Sequence, residues 1–91
     1  MEYQVIILPS AISDIEKLPK NIKAGILRKI KWLSANADYI IHHNLQNMPD
    51  SLHGLCRIRY GSYRVLYWFY AEERKIKIYH VSPRSSVYKK L

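Results

Sequence analysis

The apolar positions change their period twice along the chain. Tyr3 to Leu8, YQVIIL, is a short β-branched and apolar run closed by Pro9, and it predicts a strand. The period then lengthens. Ile12, Ile15 and Leu18 recur at helical spacing behind Ser10, a candidate N-cap, with Asp14 and Glu16 in early turns where the helix dipole favours acids. Pro19 ends this helix or opens the next. Ile22, Ile26, Ile30, Leu33 and Ala37 form a second stripe at spacings of four, four, three and four, with Lys23, Arg28, Lys29 and Lys31 lying off it. Two amphipathic helices joined this tightly predict a helical hairpin laid on a sheet. Residues 38–54 show no clean period and read as a loop, with room for a short helical end.

From Leu55 the pattern becomes that of strands. Leu55 to Tyr60 and Tyr63 to Tyr70 flank Gly61-Ser62, a two-residue hairpin turn with glycine first, as a type II′ turn requires. Glu72-Glu73-Arg74 turns the chain again, Lys75 to Val81 is a third strand, and Pro83 ends it before the tail SSVYKKL. The fold class is therefore α+β: an N-terminal strand, a helical hairpin, an antiparallel sheet of about four strands, and a short C-terminal tail or helix. No repeat, linker or low-complexity segment divides the 91 residues, which are read as one domain, 1–91.

The turn fixes a register, and the register sorts the side chains. Tyr60 should face Tyr63, Arg59 should face Arg64, and Ile58 should face Val65. Alternation then puts Cys56, Ile58, Val65, Tyr67 and Phe69 on one face and Arg57, Arg59 and Arg64 on the other. Like charges directly opposed destabilise a strand pair, so Arg59 against Arg64 breaks a local rule, and an anion held between them would relieve it. The plain alternative is that these arginines splay into water or pair with Glu72 or Glu73. The third strand adds Lys77 and Tyr79 to the cationic face. Simple alternation turns His80 inward with Ile76 and Ile78 and leaves its place unsettled.

Charge sharpens this picture. Residues 1–51 carry six Lys/Arg against five Asp/Glu, whereas residues 52–91 carry nine against two, so nearly all of the net charge of +8 lies in the C-terminal half. Six tyrosines lie there as well: Tyr60, Tyr63, Tyr67, Tyr70, Tyr79 and Tyr88. Cations with aromatic faces suit a partner that offers phosphates and bases. Cys56 is the only cysteine, which excludes an internal disulfide and fits a reducing cytosol. No secretory leader or membrane-spanning run is legible, so the expected location is cytoplasmic, with no membrane partner. His42, His43 and His53 cluster in the loop, but no acid or cysteine stands at ligand spacing to them, and neither metal nor cofactor is expected.

These residues resemble the RelE/ParE superfamily of toxins along nearly the whole chain. The superfamily often shows a stretch of the form R-I-R-x-G-x-Y-R-V-x-Y, and Arg57 to Tyr67 reads RIRYGSYRVLY. It often ends in an arginine, two variable residues and Val-Tyr, and Arg84 to Tyr88 reads RSSVY. NLQNMPD, Asn44 to Asp50, is similar to a stretch that precedes the catalytic strands in RelE-type members. The resemblance implies an endoribonuclease that cleaves mRNA on the ribosome, inhibits translation and is itself inhibited by a cognate antitoxin protein. It implies that Arg57, Arg59, Arg64, Arg84 and Tyr88 carry the site; with Lys77 added from its place on the cationic face, the expected catalytic set is Arg59, Arg64, Arg84 and Tyr88, and the expected RNA-binding set is Arg57, Arg59 and Lys77. Three positions depart from the pattern: the two basic residues of the first hairpin strand are arginines rather than lysines, Pro83 stands where a histidine is common, and Ser62 replaces an acid in the turn. Arginine does not serve as a general base, which leaves Tyr88 and His80 as candidates. The competing expectations are a ParE-like inhibitor of DNA gyrase, a non-catalytic nucleic-acid-binding module, and a toxin fold that has lost activity.

Overall fold

The computed structural model describes residues 2–83, so Arg84 and Tyr88 lie outside the described residues. Strand β1 (Gln4–Ile7) leads into helix α1 (Pro9–Glu16), helix α2 (Lys20–Asn36), the two-residue strand β2 (His43–Asn44) and a single 3-10 turn (Asp50–Leu52). Strands β3 (Cys56–Tyr60), β4 (Tyr63–Tyr70) and β5 (Lys75–Pro83) follow. The sheet has five strands in the order β1-β5-β4-β3-β2. The strand beyond the expected four is β2. β1 pairs parallel with β5, and the other pairs are antiparallel.

The helix boundaries have local causes. Leu8, in extended conformation, is the N-cap of α1, and Pro9 occupies the first helical position, where its missing N–H costs nothing. Ser10 is therefore not the cap expected from sequence. It lies inside the first turn, and its hydroxyl donates to the carbonyl of Tyr79 on β5. The Lys17 N–H turns back to the carbonyls of Asp14 and Ile15, and Pro19 then caps α2. Of the predicted stripe on α2, Ile26, Ile30, Leu33 and Ala37 are buried and Ile22 packs at their margin. Gly25 sits mid-helix because the Tyr60 ring lies against it, so that a Cβ there would overlap the ring.

The main core lies between the helices and one face of the sheet, where Cys56, Val65, Tyr67, Ile76, Ile78 and Val81 are buried. His42 closes one side of it. Its Nε2 is 2.8 Å from the Ala37 carbonyl and so carries the hydrogen, leaving Nδ1 to accept the Tyr67 hydroxyl at 2.7 Å. The ring also stacks on Phe69 at 3.8 Å between centroids. The segment without periodicity covers part of the other face: Leu45, Met48, Leu52 and Leu55 pack with Leu66, Trp68 and Tyr79, and the Trp68 indole donates to the His53 carbonyl. Sequence periodicity gave no sign of this second cluster.

α1 also finishes the sheet. β1 stops at Ile7 opposite Ile78, and the Leu8 N–H bonds the Ile78 carbonyl. Past that point β5 would present a bare edge, and unpaired backbone groups are costly when removed from water. Ser10 satisfies the Tyr79 carbonyl and Asp14 accepts the Val81 N–H at 2.9 Å, so two helix side chains stand in for a strand.

Candidate nucleic-acid interface

The hairpin register agrees with the sequence expectation at all three expected pairs, Tyr60 with Tyr63, Arg59 with Arg64 and Ile58 with Val65, and it continues with Arg57 opposite Leu66. Of the two turn residues only Gly61 has a positive φ, 58°, as a type II′ turn requires. Across the next ladder Ser82 opposes Arg64 and His80 opposes Leu66. The face away from the helices thus carries two adjacent rows, Arg59–Arg64–Ser82 and Arg57–Leu66–His80.

These positions differ in solvent access. Arg59 is exposed and Arg57 half-buried, whereas Arg64 is buried, with Nη1 donating to the carbonyl of Tyr63 at 3.2 Å. Beside it Ser82 is fully buried, and its hydroxyl has no hydrogen-bond partner among the described residues. The arrangement is a row of donors that runs from solvent inward. Sequence reasoning missed Ser82 and the burial of Arg64; the only available signal was their pairing across the ladder. Lys77 is on the same face, but it opposes Trp68, four residues along β4 from Arg64 and so about 13 Å away. Its ammonium lies 5.4 Å from the centroid of the Tyr70 ring. The apolar Leu66–Trp68–Tyr79 patch separates it from the arginine pair.

β2 covers β3 only at Cys56 and Arg57. Beyond it the edge opens into a cleft of about 250 Å³ lined by Ile40, Ile41, His43, Arg57, Ile58, Arg59 and Tyr67. The three loop histidines diverge in their contacts: His42 is engaged with Tyr67 and Ala37, His43 lines this cleft, and His53 meets Trp68 through its carbonyl. Among the described residues no group of His, Cys, Asp or Glu is arranged to hold a metal ion, and no helix is long and apolar enough to cross a membrane. The Cys56 thiol is pushed up to about 11 by burial, and its Sγ donates to the Asn44 side chain at 2.9 Å. It is a core residue rather than a nucleophile.

A hairpin sheet with helices on one face and a row of arginines on the other defines a class of small basic α+β domains. Comparison with known proteins narrows that class. Residues 5–88 match the family model described as the ParE toxin of type II toxin–antitoxin systems, and the chain belongs to this RelE/ParE superfamily of toxins. It is 30% identical over 87 residues to Toxin RelE of Mycobacterium tuberculosis, which spans 96% of this chain and 87% of the relative. The toxin–antitoxin complex RelBE2 of the same organism contains a chain that matches with a TM-score of 0.77 at 27% identity, over 93% of this chain and 94% of that one. A mutant of Escherichia coli toxin RelE in the free state shares the fold, with a TM-score of 0.73 at 20% identity, over 97% of this chain and 90% of that one.

Proposed function

We propose that this toxin is an endoribonuclease that cuts mRNA on the ribosome and so inhibits translation. The observation that carries the reading is the direct opposition of Arg59 and Arg64 on an otherwise well-ordered hairpin, with the buried Ser82 hydroxyl beside them. Two opposed cations cost stability unless an anion bridges them, and a phosphodiester is such an anion. RNA brings its own nucleophile, the 2′-hydroxyl. In-line attack would give a 2′,3′-cyclic phosphate and a 5′-hydroxyl end, and guanidinium groups can carry the extra charge of the transition state without a metal. In this reading Arg64 and Arg84 stabilise that charge, Arg57 and Arg59 position the backbone, and Tyr88 stacks on or orients a nucleotide. Lys77 is far enough along the face to meet a flanking phosphate rather than the scissile one.

The partner proposed for the chain in the cytoplasm is a cognate antitoxin, supported by the matching chain of the M. tuberculosis toxin–antitoxin complex. The net charge of +8 suits an acidic antitoxin segment wrapped over the basic face. Binding only the folded toxin, it would add to the stability of a domain too small to bury most of its surface.

The test is primer extension on mRNA, with and without ribosomes. The full chain is expected to leave discrete cut ends. Arg59→Ala and Arg64→Ala should each lower the cutting rate about 10²–10³-fold, with the fold checked by circular dichroism and by antitoxin capture. Wild-type rates in both variants would remove the nuclease reading. A second reading, inhibition of DNA gyrase, is favoured by the ParE description of the matching family model. It predicts loss of DNA supercoiling in induced cells whose mRNA stays intact.

A further inference from the structure

We propose that His80 is the proton acceptor for the attacking 2′-hydroxyl and that Asp14, on α1, is the residue that positions it; this rests on the nuclease reading above. The bulge carries the first part of the argument. Ile76 and Ile78 are buried in the helix-side core, and plain alternation would place His80 there too. The β4–β5 register slips between Leu66 and Tyr67, so that Leu66 faces His80 while Tyr67 faces Ile78. Tyr79 is the extra residue. Val81, not His80, then resumes the core, and His80 stands opposite Leu66, in the row of Arg57 and beside the row of Arg59, Arg64 and Ser82. Bulges commonly re-aim a side chain beside a functional site.

The second part is the tautomer. His80 Nδ1 is 2.7 Å from Asp14 Oδ2, with the two side chains 17% and 8% exposed. The same carboxylate oxygen accepts the Val81 N–H, which fixes the carboxylate against β5. A carboxylate only accepts, so Nδ1 carries the hydrogen, and in the neutral ring Nε2 is the nitrogen with the lone pair. Nε2 makes no hydrogen bond among the described residues. The ring is further held edge-on to Tyr79, at 4.5 Å between centroids. An imidazole with one nitrogen anchored by a carboxylate and the other available is suited to accept a proton, and the carboxylate stabilises the cation that results. The arginines of this face cannot do that work.

The step balances as follows. Nε2 takes the 2′-hydroxyl proton as the 2′-oxygen forms its bond to phosphorus. The bond from phosphorus to the 5′-oxygen breaks, and that oxygen leaves with the electron pair and takes a proton from water. The imidazolium returns its proton to the hydroxide so formed.

The test uses the full chain on mRNA-programmed ribosomes under single-turnover conditions, with steady-state runs alongside. His80→Gln keeps a donor for Asp14 and should cut about 10²–10⁴-fold more slowly at unchanged RNA affinity. His80→Ala should recover part of its rate when free imidazole is added. Asp14→Asn should lower kcat with KM unchanged, because the imidazole loses its fixed tautomer. A pair that merely docks α1 on β5 predicts weaker folding, wild-type cutting per folded molecule and no response to imidazole. That result overturns the dyad while the nuclease reading stands. A wild-type chain that leaves no cut ends overturns the nuclease reading, and the dyad with it.

Discussion

On the face of the sheet that bears the helices, Val65, Tyr67, Ile76 and Ile78 are buried to within 1% of their surface among apolar neighbours. On the opposite face the same strands bury Arg64 and the Ser82 hydroxyl, and set Arg59 against Arg64. The first face follows the local rules of packing; the second departs from them twice, in opposed like charge and in a buried hydroxyl with no hydrogen-bond partner among the described residues. Strand pairing alone cannot account for the difference, because both faces share one backbone and one register. The second face departs from the rules that the first one follows, and such departures tend to mark function. The comparison is tested most severely by truncating the first face. Ile78→Ala should cost about 2–5 kcal/mol through lost burial and the cavity left behind. Urea unfolding is expected to show a lower midpoint at an unchanged slope.

Alkaline pH probes the same face chemically. Burial pushes the Cys56 thiol up to about 11 and raises the Tyr67 hydroxyl further, so both groups hold their protons more tightly in the fold than in the unfolded chain. Stability from them is complete below the unfolded thiol value of about 9 and falls as pH rises through the folded value of about 11. The thiol alone should contribute a loss on the order of 2 kcal/mol over that window. Tm measured between pH 8 and pH 11, on the wild type and on Cys56→Ala, would show it as the steeper decline of the wild type.

A smaller effect tests the seam between helix and sheet. Gly25→Ala should destabilise by about 1–2 kcal/mol, because the Tyr60 ring must move and its displacement outweighs the helix propensity gained. In a Tyr60→Ala background the same change should stabilise by about 0.5–1 kcal/mol. A destabilisation that persists without the Tyr60 ring would mean that something else demands glycine there.

The sequence made some of this legible and hid the rest for identifiable reasons. The β3–β4 register followed from Gly61-Ser62, because a two-residue turn leaves no freedom in the pairing that follows. The α2 stripe followed from its period. The loop from Asp38 to Gly54 stayed opaque, because Leu45, Met48 and Leu52 bury themselves against Leu66 and Trp68 without repeating at any interval. Ser10 and Asp14 looked like helix-start residues, and their real partners are 69 and 67 positions away on β5. The bulge that re-aims His80 is an irregularity in the β4–β5 pairing, and nothing in the local alternation of residues 75–83 marks it. The arginine face was visible as a set, but not that one member is buried. Arg84 and Tyr88, read as site residues from the RSSVY ending, lie outside the described residues.

The smallest expected change in stability separates the two faces most cleanly. Arg59 is exposed, so replacing it removes little packing and relieves its opposition to Arg64. Arg59→Thr introduces a residue well suited to a strand, and should leave the free toxin as stable as the wild type or more stable by up to about 1 kcal/mol. If the arginine is kept for an anion, the same variant must bind RNA less well, and its affinity must depend less steeply on salt, because one phosphate contact is gone. Thermal unfolding and a salt titration of RNA binding on the same sample decide the matter. Stability gained with binding lost is the signature of a residue retained for a ligand. Stability lost with binding unchanged would make Arg59 an ordinary part of the strand and return the outer face to the rules that govern the inner one.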